Sequence, residues 1–179
     1  MTVPDPDDDR WMNAAVELAW RCPPSENAYS VGSVIVTADG TLLSEGYSRE
    51  SDPFVHAEES ALAKLPPNDS RLAGATIYST VEPCSVRKSR PRTCTQLIIA
   101  SGIGRVVIAW REPSLFVADC QGYELLAQAG LEVSELPSFT ERAKAPNQHL
   151  PLSLRRGRTC CAVRHLSLAS DYMNVPCYR

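Results

Sequence analysis

Apolar positions in the early part of the chain recur first at helical and then at strand spacing, and the change of period sets the expected order of elements. Trp11, Ala15, Leu18 and Cys22 fall at near-helical intervals after Asp9, which is placed to cap a helix that Pro23 and Pro24 end. Trp11 and Trp20 read as core residues of that helix rather than walls of a base pocket. Residues 29–37 then alternate and are rich in β-branched side chains, Asp39-Gly40 is a hairpin turn, and 41–47 resume the strand. A loop over 49–55 carries Asp52-Pro53. After it comes a helix of strong formers over 56–65, stopped by Pro66-Pro67. Beyond it the pattern predicts a buried strand over 75–81, a helix over 94–101 capped by Thr93 and closed by Gly102, and a strand over 105–110. A helix over 121–129 closed by Gly130 and a short strand over 131–133 complete the series. A helix, a hairpin and then helices alternating with strands imply an α/β protein with a mixed sheet between helical layers.

The chemistry sits at the joints of this pattern. His56-Ala57-Glu58 opens a helix, Glu82-Pro83-Cys84 ends a strand, and Cys94 opens the next helix. One imidazole and two thiolates are a zinc ligand set that leaves a fourth tetrahedral position open, as in catalytic sites. Residues two apart on a helix do not share a face. His56 is therefore expected to hold the metal while Glu58 stays free to move protons. H-x-E followed by P-C and a later cysteine is the signature of zinc deaminases, with Glu58 as general acid and base. Cys94 at a helix N-terminus suits a thiolate. Glu59 reads as a solvated or helix-capping carboxylate. A closed structural zinc site, or a zinc-binding interaction module without catalysis, is the alternative for the same residues.

Composition narrows the field. A net charge of −3 argues against broad binding to nucleic acid or anionic membrane, and no apolar run approaches the length of a membrane span. The acidic, proline-punctuated lead over residues 1–9 is unlike a signal peptide, so a cytoplasmic location is expected. Seven cysteines, an odd number, point to metal or catalytic use rather than a disulfide framework. Cys22 and Cys120 read as small buried thiols. Arg87, Lys88, Arg90 and Arg92 lie between Cys84 and Cys94, so they stand near the pocket mouth and could bind a substrate phosphate, with a solvated basic loop as the alternative for any one of them. Asn27, before the hairpin, is placed to hydrogen-bond a sugar or base. Ser85, next to Cys84, joins Asn27, Arg87, Lys88 and Arg90 as a substrate-binding candidate. The sequence predicts one deaminase domain over 1–137 and a loosely ordered tail over 138–179, whose Cys160, Cys161, His165 and Cys177 match no zinc motif.

Residues 11–137 resemble the cytidine deaminase superfamily, and within it the RibD-type pyrimidine deaminase domain of riboflavin biosynthesis. The likeness rests on Ser30-Val-Gly-Ser-Val-Ile-Val36, His56-Ala-Glu58, Gly74-Ala-Thr-Ile-Tyr-Ser-Thr-Val-Glu-Pro-Cys-Ser85 and the run from Leu97 to Val107. The long spacer between the cysteines is itself similar to that subfamily. Gly46-Tyr47-Ser48 departs from it, because the RibD-type pattern carries a histidine where Ser48 stands. The resemblance implies a cytidine deaminase-like three-layer αβα sandwich with a five-stranded mixed sheet, a Zn2+ cofactor and a homodimer or higher homo-oligomer. It also implies a small heterocyclic substrate, a diaminopyrimidine ribonucleotide, with a cytosine nucleoside or nucleotide as the alternative.

Overall fold

The computed structural model describes residues 7–111 and 120–150, and the cysteines and histidine of the predicted tail, Cys160, Cys161, His165 and Cys177, lie outside them. Five strands form one sheet: β1 (Gly32–Val36), β2 (Leu42–Tyr47), β3 (Thr76–Ser79), β4 (Arg105–Ile108) and β5 (Glu132–Glu135), in the order β2-β1-β3-β4-β5. β1 runs antiparallel to both β2 and β3, while β3, β4 and β5 are parallel. The hairpin needs only the tight turn at Asp39-Gly40. The parallel strands need crossovers, supplied by α3 (Cys94–Ser101) and α4 (Gly122–Gln128).

Alternation along each strand divides the core into two layers. Val34, Val36, Tyr78 and Val107 point to one face, where they meet Trp11, Met12, Ala15 and Val16 of α1 (Asp8–Ala19) and Phe139 and Ala143 near α5 (Thr140–Lys144). Ile35, Ile77, Val106 and Ile108 point to the other, against Ala61 of α2 (Ala57–Ala63), Ile98 of α3 and Leu126 of α4. All five residues of β1 are therefore buried, as expected for a strand covered on both faces. Helices on both faces make the three layers. Gly32 is required where α1 crosses β1, since a Cβ there would lie 1.9 Å from the Ala15 carbonyl oxygen.

Four expectations are corrected. α1 ends at Ala19 and not at Cys22, which leaves Trp20 62% exposed rather than in the core. Asp9 does not cap α1, which begins at Asp8 with Asp7 as its N-cap; Asp8 is 1% exposed, and its carboxylate accepts from Arg105 Nη1 and Nη2 at 2.7 and 2.8 Å and from Tyr78 Oη at 2.9 Å. His56 is the N-cap of α2 rather than part of its first turn. The fold also continues past Pro137: two 3-10 turns flank α5, and Phe139, Ala143, Asn147 and Leu150 are buried. Asn147 joins this segment to the start of β1 by accepting from Ser30 N at 2.7 Å and donating to Ser30 O at 3.1 Å. Sparse apolar positions hid that segment, because its anchors contact the body of the fold rather than repeat along a helix face.

Candidate active site

Three separate elements converge beyond the ends of β1 and β3. His56 sits at the N-cap of α2 with extended backbone, at φ −90° and ψ 161°, and its N–H donates to Glu59 Oε2 at 3.4 Å. Cys84 follows β3 on the Glu82-Pro83 turn. Cys94 opens α3, whose start is fixed by Thr93: its hydroxyl accepts from Gln96 N at 3.2 Å, while its own N–H donates to Gln96 Oε1 at 3.0 Å. That reciprocal cap is the predicted start signal realised.

Cys84 Sγ and Cys94 Sγ stand 3.5 and 3.4 Å from His56 Nδ1, and one ligand atom from each of the three residues lies within 4.8 Å of the others. A zinc ion with tetrahedral angles, nitrogen at about 2.0–2.1 Å and sulfur at about 2.3 Å places its nitrogen and sulfur ligands about 3.5 Å apart. The geometry and the donor chemistry both fit zinc. The Cys94 N–H also donates to Cys84 Sγ at 3.4 Å. The Cys84 thiol is pulled down to about 4 by hydrogen bonding from Cys94, against burial and with help from His56, whereas Cys94 is held up by that same bond and by burial. One thiolate is thus already favoured before a metal displaces the second proton.

Glu58 is not part of the ligand triangle. It is 3% exposed in the first turn of α2, and burial raises its pKa above the ordinary carboxylate range. Ser79 Oγ stands 2.8 Å from Glu58 Oε1 and 2.8 Å from Val81 O. A hydroxyl has one proton to give and the Val81 carbonyl has none, so both contacts are satisfied when Glu58 carries a proton. The sequence pattern did not single out Ser79, which stands among other hydroxyl-bearing residues in and beside β3.

A cavity of about 300 Å³ opens over these groups, lined among others by Asn27, Ser48, Arg49, Phe54, His56, Glu58 and Arg87. Asn27 is on this wall. Ser48 is buried and its hydroxyl accepts from Val31 N at 3.2 Å, so the position that carries histidine in the RibD-type pattern leaves a smaller, neutral group at the pocket. Ser85 does not line the cavity: its Oγ accepts from Gln121 N at 2.9 Å, which ties the ligand loop to the start of α4. α4 approaches so closely that a Cβ on Gly122 would stand 2.1 Å from Pro83 O.

The basic spacer behaves differently from its expected role. Arg87 Nη2 pairs with Glu59 Oε2 at 2.8 Å and donates to Phe54 O, and its side chain is 3% exposed. Arg90 pairs with Asp52 Oδ2 at 2.5 Å and with Glu59 Oε1 at 3.3 Å. Two of the cations assigned to a substrate phosphate are therefore neutralised by carboxylates of the chain itself. Of the two readings of Glu59 the helix-capping one holds, and its carboxylate also joins the N-cap of α2 to the spacer. Lys88 is exposed and, like Arg90, does not line the cavity.

A mixed αβα sheet with a His, Cys, Cys cluster and a buried, unligated glutamate under a small cavity defines the class of zinc-dependent deaminases. The match to the model of the cytidine and deoxycytidylate deaminase zinc-binding region covers residues 5–110, and the chain belongs to that family. It is 43% identical over 136 residues to the diaminohydroxyphosphoribosylamino-pyrimidine deaminase of Schizosaccharomyces pombe, a match covering 74% of this chain and 33% of the relative. It is 39% identical over 132 residues to the riboflavin biosynthesis protein RibD of Escherichia coli, covering 71% of this chain and 33% of that protein. The solved structure of Acinetobacter baumannii RibD, form 2, superposes with a TM-score of 0.67 at 32% identity, over 79% of this chain and 38% of that one. The chain thus matches about a third of the length of these relatives. Among the described residues no helix is long and apolar enough to cross a membrane.

Proposed function

We propose that this chain is a zinc-dependent hydrolytic deaminase that converts the exocyclic amine of a diaminopyrimidine ribonucleotide to a carbonyl and releases ammonia, a step of riboflavin biosynthesis. The observation that carries this reading is the buried Glu58 set beside, but outside, a ligand triangle of zinc dimensions. The names of the two relatives above support the choice of substrate, and the cavity has the size of small-molecule sites.

In this reading His56 Nδ1, Cys84 Sγ and Cys94 Sγ hold the metal. Zinc bound there supplies a Lewis acid that makes water acidic enough to lose a proton near neutral pH. Glu58 takes that proton and passes it to the ring nitrogen beside the reacting carbon as the water oxygen bonds to that carbon, then carries the remaining hydroxyl proton to the amine as the carbon–nitrogen bond breaks and ammonia leaves. Ser79 holds the carboxyl in place between these transfers, and Asn27 borders the substrate. Burial excludes bulk water from the exchange. By family likeness the protein works as a homodimer in the cytoplasm, which sedimentation and cell fractionation check.

Ammonia release from a panel of aminopyrimidine and cytosine compounds, with and without phosphate, tests the proposal. Preferential turnover of the diaminopyrimidine ribonucleotide supports it. Preference for a cytosine nucleotide would transfer the site to the deoxycytidylate branch that the family description also covers.

A further inference from the structure

Once Arg87 and Arg90 are neutralised by Glu59 and Asp52, the cavity still borders a cation that no carboxylate of the described residues pairs with, Arg49. Its hydrogen-bond acceptors are all neutral. Nε donates to Pro23 O at 2.9 Å, Nη2 to Pro23 O at 2.7 Å and Ser30 Oγ at 3.1 Å, and Nη1 to Tyr29 O at 2.8 Å. A guanidinium has five N–H donors. These contacts use four of them and leave one on Nη1. They also hold the fork rigid, so that an incoming group meets a fixed donor rather than a flexible chain.

The backbone supports a reason beyond structure for an arginine here. Arg49 has φ +64°, in the left-handed region where glycine or asparagine is the ordinary occupant, and its N–H donates to Val55 O at 2.9 Å to close the loop that leads to His56. The side chain is partly buried, and that burial weighs against its charge. A partly desolvated cation beside a reaction cavity, strapped to carbonyls and with no counter-charge among the described residues, is placed to receive an anion.

We infer that Arg49 is the anion anchor of this pocket and binds the phosphate of the substrate. This rests on the proposed deaminase reading and deepens it by moving phosphate recognition from the spacer to the loop before His56. Arg49 acts on binding and takes no part in proton transfer.

The test compares zinc-loaded wild type with R49Q and R49K in two assays. The first is the ratio of kcat/KM for the diaminopyrimidine ribonucleotide to that for its dephosphorylated form. The second is calorimetric binding of ribose 5-phosphate, which needs no turnover. Loss of one charge-assisted contact is expected to lower the ratio about tenfold or more in R49Q. R49K, which keeps the charge but not the fork, should fall between. Ribose 5-phosphate should bind wild type and not R49Q. An unchanged ratio in R49Q, or equal loss on both substrates, overturns the assignment and leaves Arg49 as a strut for residues 23–30. Failure of wild type to bind ribose 5-phosphate also overturns it. Absence of ammonia from every substrate, with ribose 5-phosphate still bound through Arg49, would instead remove the deaminase reading alone.

Discussion

Glu58 and its neighbours show how far identical side-chain chemistry depends on position. Three residues supply lone pairs that converge on one point, while the carboxylate two positions from His56 turns toward Ser79. The two roles separate by substitution. Glu58→Gln should keep one zinc per chain, because a non-ligand is replaced by a close isostere. Cys94→Ala should lose the metal, since only two protein ligands remain. Elemental analysis of both purified variants reads this directly, and a zinc-free E58Q would mean that the carboxylate is a ligand after all. The four residues were legible in the sequence because motif and element boundaries coincide there. Ser79 and Arg49 were not, since neither belongs to a motif and each acquires meaning only from what the fold sets beside it.

At the scale of elements, the segment between Cys84 and Cys94 is the clearest lesson. Four basic residues in a short run read as a phosphate site when only their charge is visible. In the fold, Asp52 comes from the preceding loop and Glu59 from α2, and both close on the spacer. No local pattern announces pairing across more than twenty residues. Replacing Arg87 with alanine would leave Glu59 with Arg90 alone, so a loss of about 1.5 kcal/mol in stability is expected. Denaturant unfolding measures it. A variant of unchanged stability would show the pair to be solvent-screened and free for another role.

The segment over 137–150 makes the complementary case. Phe139 and Ala143 belong to the α1 core, and Asn147 grips Ser30. A chain ending at Leu150 should therefore keep its folded core and its zinc site. One ending at Leu136 should be destabilised strongly, because removing Phe139 alone is worth about 3–5 kcal/mol on the scale of buried aromatic truncations. Thermal melts of the two chains decide the point. Equal melting temperatures would return residues 137–150 to the appendage that the sequence pattern suggested.

For the whole molecule, the order of elements was readable from α1 to β5, since each strand and helix there is marked by a change of period or by a cap, whereas α5 was not. The two-layered core followed from alternation on strands covered on both faces. What the sequence could not carry was the assignment of polar groups to partners distant in the chain: Asp8 to Arg105, Asn147 to Ser30, Glu59 to Arg87. Those contacts determine which charges remain available to a substrate. They shift the expected anion site from the spacer to Arg49.

The central claim is that a zinc held by His56, Cys84 and Cys94 and a proton carried by Glu58 together release ammonia from an aminopyrimidine ribonucleotide. The most direct measurement is the rate of ammonia release by wild type and E58Q, each carrying one zinc per chain, on the same diaminopyrimidine ribonucleotide. The account predicts steady release by wild type and a rate lower by about 10²–10⁴ in E58Q, the usual contribution of general acid and base catalysis. No release by zinc-loaded wild type, or an E58Q rate equal to it, would contradict the account.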